Sequence, residues 1–178
     1  MKKALFLDRD GVINIEKNYL YKISDFEFID GIFDLCNYYQ KLGYIIIVIT
    51  NQSGIARGYY DINDFNILSS WMIKQFAQNG IKISKVYFCP HHPDISGECD
   101  CRKPKAGMIL EAQKEFDIDL KNSVLVGDSQ RDIEAGILAG IEKNYLFNSL
   151  ENIYESNATK IVSKLQMCSL TGKNIMEK

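Results

Sequence analysis

Three short apolar runs, Ala4 to Leu7, Tyr44 to Thr50 and Ser123 to Val126, each stop directly at a polar cluster, and this pattern narrows the available folds more than any other feature. Runs of this length, rich in β-branched and aromatic residues, read as strands, and strands apolar throughout read as buried on both faces. Val86 to Phe88 and Asn144 to Phe147 are shorter candidates of the same kind. Between them apolar residues recur at helical spacing, as in Ile32, Leu35, Cys36, Tyr39 and Leu42 and again in Phe65, Leu68, Met72 and Phe76. The alternation predicts an α/β fold with a central, mostly parallel sheet covered on both faces. Ligands of such sheets gather at the carboxyl ends of the strands. Asp8-Arg9-Asp10, Thr50-Asn51-Gln52 and Gly127-Asp128-Ser129 each follow a strand, so three strand ends point at one site.

Length and charge exclude several alternatives. The 178 residues suit one domain, taken as 1–150 with a loop at 89–101, and 151–178 reads as a C-terminal extension of the same domain that frays. Its one clear apolar stretch runs from Ala158 to Leu165. Twenty-one Lys and Arg against 23 Asp and Glu leave a net charge of −2, with no basic field to hold nucleic acid. The longest apolar runs, such as Ile45 to Ile49, fall far short of the roughly 20 residues of a membrane span, and the first residues carry no signal-peptide core. The expectation is therefore a cytoplasmic monomer without membrane partners. In that compartment the five cysteines read as thiols or metal ligands.

Five clusters carry the chemistry. Asp8 and Asp10, two residues apart after a buried strand with Gly11 to turn the chain, fit a cation site or a solvated turn. Thr50-Asn51-Gln52-Ser53-Gly54 offers a hydroxyl, two amides and loop N–H groups that suit either a phosphate cradle or a helix cap. Asp128 falls at a strand end with Asp132 one helical turn later on the same face, where acidic residues also complement a helix dipole. Taken together, carboxylates from two strand ends flanking a hydroxyl-amide loop point to a magnesium and phosphate site, because Mg²⁺ takes few carboxylates and leaves positions for phosphate oxygens. Arg102 and Lys103 are adjacent cations that would serve phosphoryl oxygens there, or form surface ion pairs. Finally, Cys89-Pro90-His91-His92-Pro93 and Cys99-Asp100-Cys101 give Cys89, His91, Cys99 and Cys101 as a Cys₃His set suited to a closed, structural zinc, against free thiols as the alternative. His91 is preferred over His92 because its spacing mirrors that of Cys99 and Cys101. Cys36 and Cys168 read as packed or unremarkable thiols.

Asp8-Arg9-Asp10-Gly11-Val12, Thr50 to Gly54, Lys103 and Gly127-Asp128 resemble the motifs of the haloacid dehalogenase superfamily of phosphohydrolases. More narrowly, Thr50 to Gly58 and Cys89 to Pro93 with Cys99 to Pro104 resemble the D-glycero-D-manno-heptose 1,7-bisphosphate phosphatases, a relative of the histidinol-phosphate phosphatases, over about residues 4–148. The resemblance implies a Rossmann-like three-layer sandwich with little or no cap, catalytic Mg²⁺ and a zinc loop. It implies Asp8 as nucleophile, Asp10 as general acid and then base, and Asp8, the Asp10 carbonyl and Asp128 as Mg²⁺ ligands. Thr50, Asn51 and Lys103 would steady the transferring phosphoryl group and Arg102 would recognise substrate. Glu16, Lys17, Asn18, Tyr19, Gln52 and Ser53 match positions that contact the sugar phosphate. The implied activity is removal of one phosphate, at C7, on the route to nucleotide-activated heptose for surface polysaccharide; histidinol-phosphate hydrolysis and a zinc-braced protein without turnover are the alternatives. One departure stands out: where many relatives carry Lys after the third acid, this chain has Ser129.

Overall fold

The computed structural model describes residues 1–147 and 156–165. Its strands are β1 (Lys3–Leu7), β2 (Tyr44–Asn51), β3 (Ile83–Cys89), β4 (Val124–Gly127), β5 (Lys143–Phe147) and β6 (Lys160–Val162), and its helices are α1 (Ile32–Lys41), α2 (Ile62–Gln78), the single turn α3 (Pro93–Ser96), α4 (Gly107–Phe116) and α5 (Gln130–Ala139). The six strands form one sheet in the order β3-β2-β1-β4-β5-β6, every pair parallel.

Strand residues alternate between two apolar layers. Leu5 and Leu7 of β1, Ile46 and Val48 of β2, and Val124 and Val126 of β4 face a core completed by Ile32, Leu35 and Tyr39 of α1 and Met72 and Phe76 of α2. Ala4 and Phe6, Ile47 and Ile49, and Leu125 face the other core, with Met108, Ile109 and Ala112 of α4 and Ile133 and Ala135 of α5. Both faces are covered, so the strands carry no polar stripe. This is the expected three-layer sandwich. The connection 8–31 between β1 and α1 contains only one 3₁₀ turn, Ile23–Asp25, so no separate cap stands there.

Strand order reverses between β1 and β4, since β2 follows β1 on one side and β4 lies on the other. In open sheets of this kind the crevice lies at that switch point, and it is here that Asp8 follows β1 and Asp128 follows β4.

Two details differ from the sequence reading. Leu42 is not part of the α1 stripe: the helix stops at Lys41 and Leu42 is 48% exposed as its cap. In the tail, the stretch Ala158 to Leu165 supplies β6, paired with β5 from Tyr145↔Lys160 to Phe147↔Val162, and Val162 and Leu165 are buried. The fraying expected for the rest of the extension, and Cys168, fall outside the described residues, whereas Cys36 is packed in the core as expected.

Candidate active site

β1 and β4 deliver their last residues side by side, and Gly11 and Gly127 let the following backbone crowd together. Gly11 adopts φ +84°, and a side-chain carbon on it would lie 2.0 Å from Oδ2 of Asp128, so both its turn and its neighbour require glycine. A carbon on Gly127 would lie 2.2 Å from the Asp132 Cβ, so this glycine lets the first turn of α5 fold back over the strand end. Ser129 donates from both its backbone N–H (3.0 Å) and its hydroxyl (2.6 Å) to Oδ2 of Asp132. That leaves Oδ1 of Asp132 aimed at the Lys103 ammonium, 2.6 Å away, while Lys103 also lies 2.9 Å from Oδ1 of Asp8.

Lys103 is 3% exposed, and burial works against its charge. The Asp132 and Asp8 carboxylates outweigh that penalty and hold its pKa above the ordinary lysine value. For Asp132, burial favours the neutral acid, but Lys103 and the Ser129 hydrogen bonds hold it below its usual range. Asp8 goes the other way: burial raises it, Lys103 pulls it down, and Asp132, Asp128 and Asp10 push it up, leaving it well above a free carboxyl. Asp128 is pushed up to about 7, first by burial and then by Asp132.

Such mutual repulsion is what a divalent cation relieves. The Asp8, Asp128 and Asp132 carboxylates each offer an oxygen within 4.8 Å of the others. Since both oxygens of Asp132 are engaged by Lys103 and Ser129, Asp8 and Asp128 are the donors with capacity to spare; Oδ2 of Asp8 takes no hydrogen bond from the described residues. Hard carboxylate oxygens in this arrangement fit Mg²⁺.

Asp10 lines the same cleft and is held by its own set of donors. Its carboxylate accepts Nε of Arg9 at 3.2 Å, Nη2 at 3.0 and 2.9 Å, Nδ2 of Asn14 at 3.0 Å and Nε2 of Gln52 at 2.9 Å. Arg9, only 1% exposed, also donates to the Leu20 carbonyl at 2.9 Å. Gln52 further donates to Oγ1 of Thr50 (2.8 Å) and accepts from the Tyr60 hydroxyl (2.6 Å), which reaches it because Gly54 leaves room for the ring. Gln52 therefore orients Asp10 and Thr50. The helix-cap reading of Thr50 to Gly54 does not hold, because α2 starts only at Ile62, capped by Asp61 in a reciprocal pair with Asp64.

Asn51 is likewise occupied: its Oδ1 accepts the Lys103 N–H and its Nδ2 donates to the Lys103 carbonyl, both at 3.1 Å. It grips the backbone of Lys103 across 52 residues of sequence.

Asp8, Asp10, Glu16, Asn18, Tyr19, Thr50, Asn51, Gln52, Ser53, Lys103 and Asp128 all line one cleft of about 190 Å³. Two expected residues do not. Lys17 is drawn off to Glu27 (3.2 Å), and Arg102 lies in an adjoining cavity with its Nη1 on the His91 carbonyl at 3.1 Å. Asn18 and Tyr19 hold positive φ, 46° and 58°, and the Glu16 carboxylate accepts the Asn18 N–H at 2.7 Å, so this rim segment is a shaped turn. Arg9, Tyr60 and Asp132 hold Asp10, Gln52 and Lys103 in place without having been given a role from the sequence; of these only Asp132 carried a signal, its spacing four residues after Asp128.

The sulfurs of Cys89, Cys99 and Cys101 and Nδ1 of His91 converge, with Cys89–Cys99 at 3.6 Å, Cys99–Cys101 at 3.4 Å, Cys89–His91 at 3.7 Å and Cys101–His91 at 3.4 Å. Bonds of about 2.3 Å to sulfur and 2.0 Å to nitrogen in a tetrahedron give edges of about 3.5–3.8 Å, so the set fits zinc. His92 is turned away, its Nε2 2.7 Å from Nη2 of Arg57. The loop is tied to the cleft by the Gln52 N–H to the Cys89 carbonyl at 2.7 Å and the Ala56 N–H to the Pro90 carbonyl at 3.2 Å.

Residues 100–144 match a family model described as HAD-hydrolase-like. The chain is 58% identical over 146 residues to a D-glycero-alpha-D-manno-heptose-1,7-bisphosphate 7-phosphatase of Campylobacter jejuni, covering 82% of this chain and 83% of that protein. It is 47% identical over 150 residues to a D-glycero-beta-D-manno-heptose-1,7-bisphosphate 7-phosphatase of Haemophilus influenzae, covering 82% of each. The crystal structure of a D,D-heptose 1,7-bisphosphate phosphatase from B. bronchiseptica, complexed with magnesium and phosphate, superposes with a TM-score of 0.83 at 30% identity, covering 94% of this chain and 96% of that one.

Removing one partner of a buried ion pair leaves the other charge uncompensated, at a cost of about 3–5 kcal/mol. Asp132→Ala is therefore expected to lower stability by about 3 kcal/mol, the low end because Asp8 still faces Lys103. Urea unfolding measures it, and an unchanged midpoint would show that the pair does not hold Lys103 in place.

Proposed function

The chain belongs to the D-glycero-D-manno-heptose 1,7-bisphosphate phosphatase family of the haloacid dehalogenase superfamily, and from that premise we propose that it is a magnesium-dependent phosphatase removing the C7 phosphate of that sugar through an aspartyl-phosphate. The observation that carries the reading is the Lys103 ammonium buried between Asp8 and Asp132 at the switch point, beside an Asp10 held by Arg9 and Gln52. The α anomer is the proposed preference, supported by the 58% identity to a relative named for it against 47% to one named for the β anomer.

Asp8 attacks the phosphorus as the bond from phosphorus to the sugar oxygen breaks, and the Asp10 carboxyl gives its proton to that leaving oxygen. Asp10, now a carboxylate, takes a proton from the water that attacks the aspartyl-phosphate, which frees Asp8 and inorganic phosphate. Thr50 and Lys103 supply donors to the phosphoryl oxygens as charge moves onto them. Asp8, Asp128 and the Asp10 carbonyl would hold Mg²⁺, which when bound neutralises charge between the nucleophile and the phosphoryl group. Five carboxylates and two cations line the cleft, so a phosphate dianion needs that neutralisation to enter. Cys89, His91, Cys99 and Cys101 would hold a structural zinc that braces the loop leading to Arg102 and Lys103. The substrate is a small sugar phosphate, the chain acts as a cytoplasmic monomer, and residues 1–150 form the catalytic domain with 151–178 as its extension. Among the described residues no helix is long and apolar enough to cross a membrane.

Phosphate release with Mg²⁺ from the α and β anomers and from histidinol phosphate tests the substrate. The α-heptose bisphosphate is expected to have the highest kcat/KM, and Asp8→Asn is expected to abolish turnover with the circular dichroism unchanged. A preference for histidinol phosphate would overturn the substrate, and activity retained in Asp8→Asn would overturn the nucleophile.

Stripping zinc is expected to lower the Tm by at least about 5 °C, equivalent to roughly 2 kcal/mol for a chain of this size. An unchanged Tm in a sample shown by metal analysis to lack zinc would contradict the structural role.

A further inference from the structure

On the reading of the substrate as a bisphosphate, one phosphoryl group goes to Asp8 and the other must be held elsewhere. The floor of the cleft is unsuited to it. Lys103 and Arg131 are the cations lining the cleft, and Lys103 is taken by Asp8 and Asp132 at 2.9 and 2.6 Å. Ser129, beside the third acid, adds only a hydroxyl, and that donates to Asp132.

Arg131 is different. It is exposed on the first turn of α5 and makes no hydrogen bond or ion pair with another described residue. It also lines the adjoining cavity of about 240 Å³, which shares Lys103 with the cleft and includes Arg102 and Lys105. Lys105 is satisfied by Glu98 at 2.9 Å. The Arg102 guanidinium is anchored by its single bond to the His91 carbonyl and has no carboxylate partner among the described residues. Two guanidinium groups with no ion pair to a carboxylate among the described residues therefore line one cavity that opens beside a floor of carboxylates, where the charge of Arg131 acts on Glu16. Exposed arginines usually settle against nearby acids, and the planar fork of a guanidinium matches phosphate oxygens in pairs.

We propose that Arg131, which lines the cavity that also holds Arg102, binds the phosphate that is not removed and sets the preference for a bisphosphate over a monophosphate. It would supply the positive charge that Ser129 does not.

The test compares kcat/KM for the heptose 1,7-bisphosphate with that for heptose 7-phosphate in the full chain with Mg²⁺. In Arg131→Ala the ratio of the two is expected to fall about 10- to 100-fold, mainly through the KM for the bisphosphate, as loss of charged hydrogen bonds implies. Arg131→Lys, which keeps the charge and loses the fork, is expected to fall between that variant and the native protein. Because Arg131 is exposed, the substitution leaves the cores untouched. A native ratio retained in Arg131→Ala overturns the proposal while leaving the functional reading intact. A native enzyme that handles both heptose phosphates equally well overturns it too, and one that hydrolyses neither overturns the reading beneath it.

Discussion

A lysine ammonium taken out of water costs several kcal/mol unless negative groups stand close around it, and much of this site is built to meet that condition at Lys103. Asp8 follows β1, Asp132 sits on the first turn of α5, and both reach the ammonium because β1 and β4 are neighbours across the switch in strand order. Gly127 brings Asp132 close, Ser129 fixes one of its oxygens, and Asn51 at the end of β2 grips the backbone of Lys103. The Asp8 carboxylate is thus positioned by the two apolar cores, which fix the strands, and by one ammonium that it shares with Asp132.

Around that centre the polar residues are largely spoken for. Arg9 is buried so that its fork can hold Asp10, and Gln52 links Asp10, Thr50 and Tyr60 in one chain of hydrogen bonds. Such a network allows Asp10 little freedom to rotate, which suits the acid and base role proposed for it. Asp8, by contrast, keeps one oxygen without a donor among the described residues, and Asp128 is crowded by its neighbours. Orientation is spent on Asp10, while capacity is left on Asp8 and Asp128.

Much of this was legible in the sequence for physical reasons that also explain the rest. An apolar run that stops at an acid is visible wherever a buried strand ends, so Asp8, Thr50 and Asp128 could be placed at one end of a sheet before any coordinates. Cys89, His91, Cys99 and Cys101 lie within 13 residues, so their convergence needed little tertiary information. Roles that depend on distant partners were hidden. Asn51 and Gln52 were readable as amides near a phosphate, but nothing local shows that their hydrogens already belong to Lys103, Asp10 and Thr50. Lys17 follows Glu16 in sequence yet turns to Glu27, and Asp132 had the right spacing without any sign that a lysine 29 residues earlier awaited it. β6 is three residues long, so the apolar stretch that holds it carried no strand period, and it exists as a strand through its pairing with β5.

The central claim is that phosphate passes through a bond to Asp8. Rapid acid quench of the enzyme with Mg²⁺ and heptose bisphosphate, followed by borohydride reduction of any acyl-phosphate and peptide mass spectrometry, tests it most directly. A reduced side chain is expected at position 8 and none at 10, 128 or 132. Modification at one of those other aspartates, or no trapped intermediate during steady turnover, would contradict it.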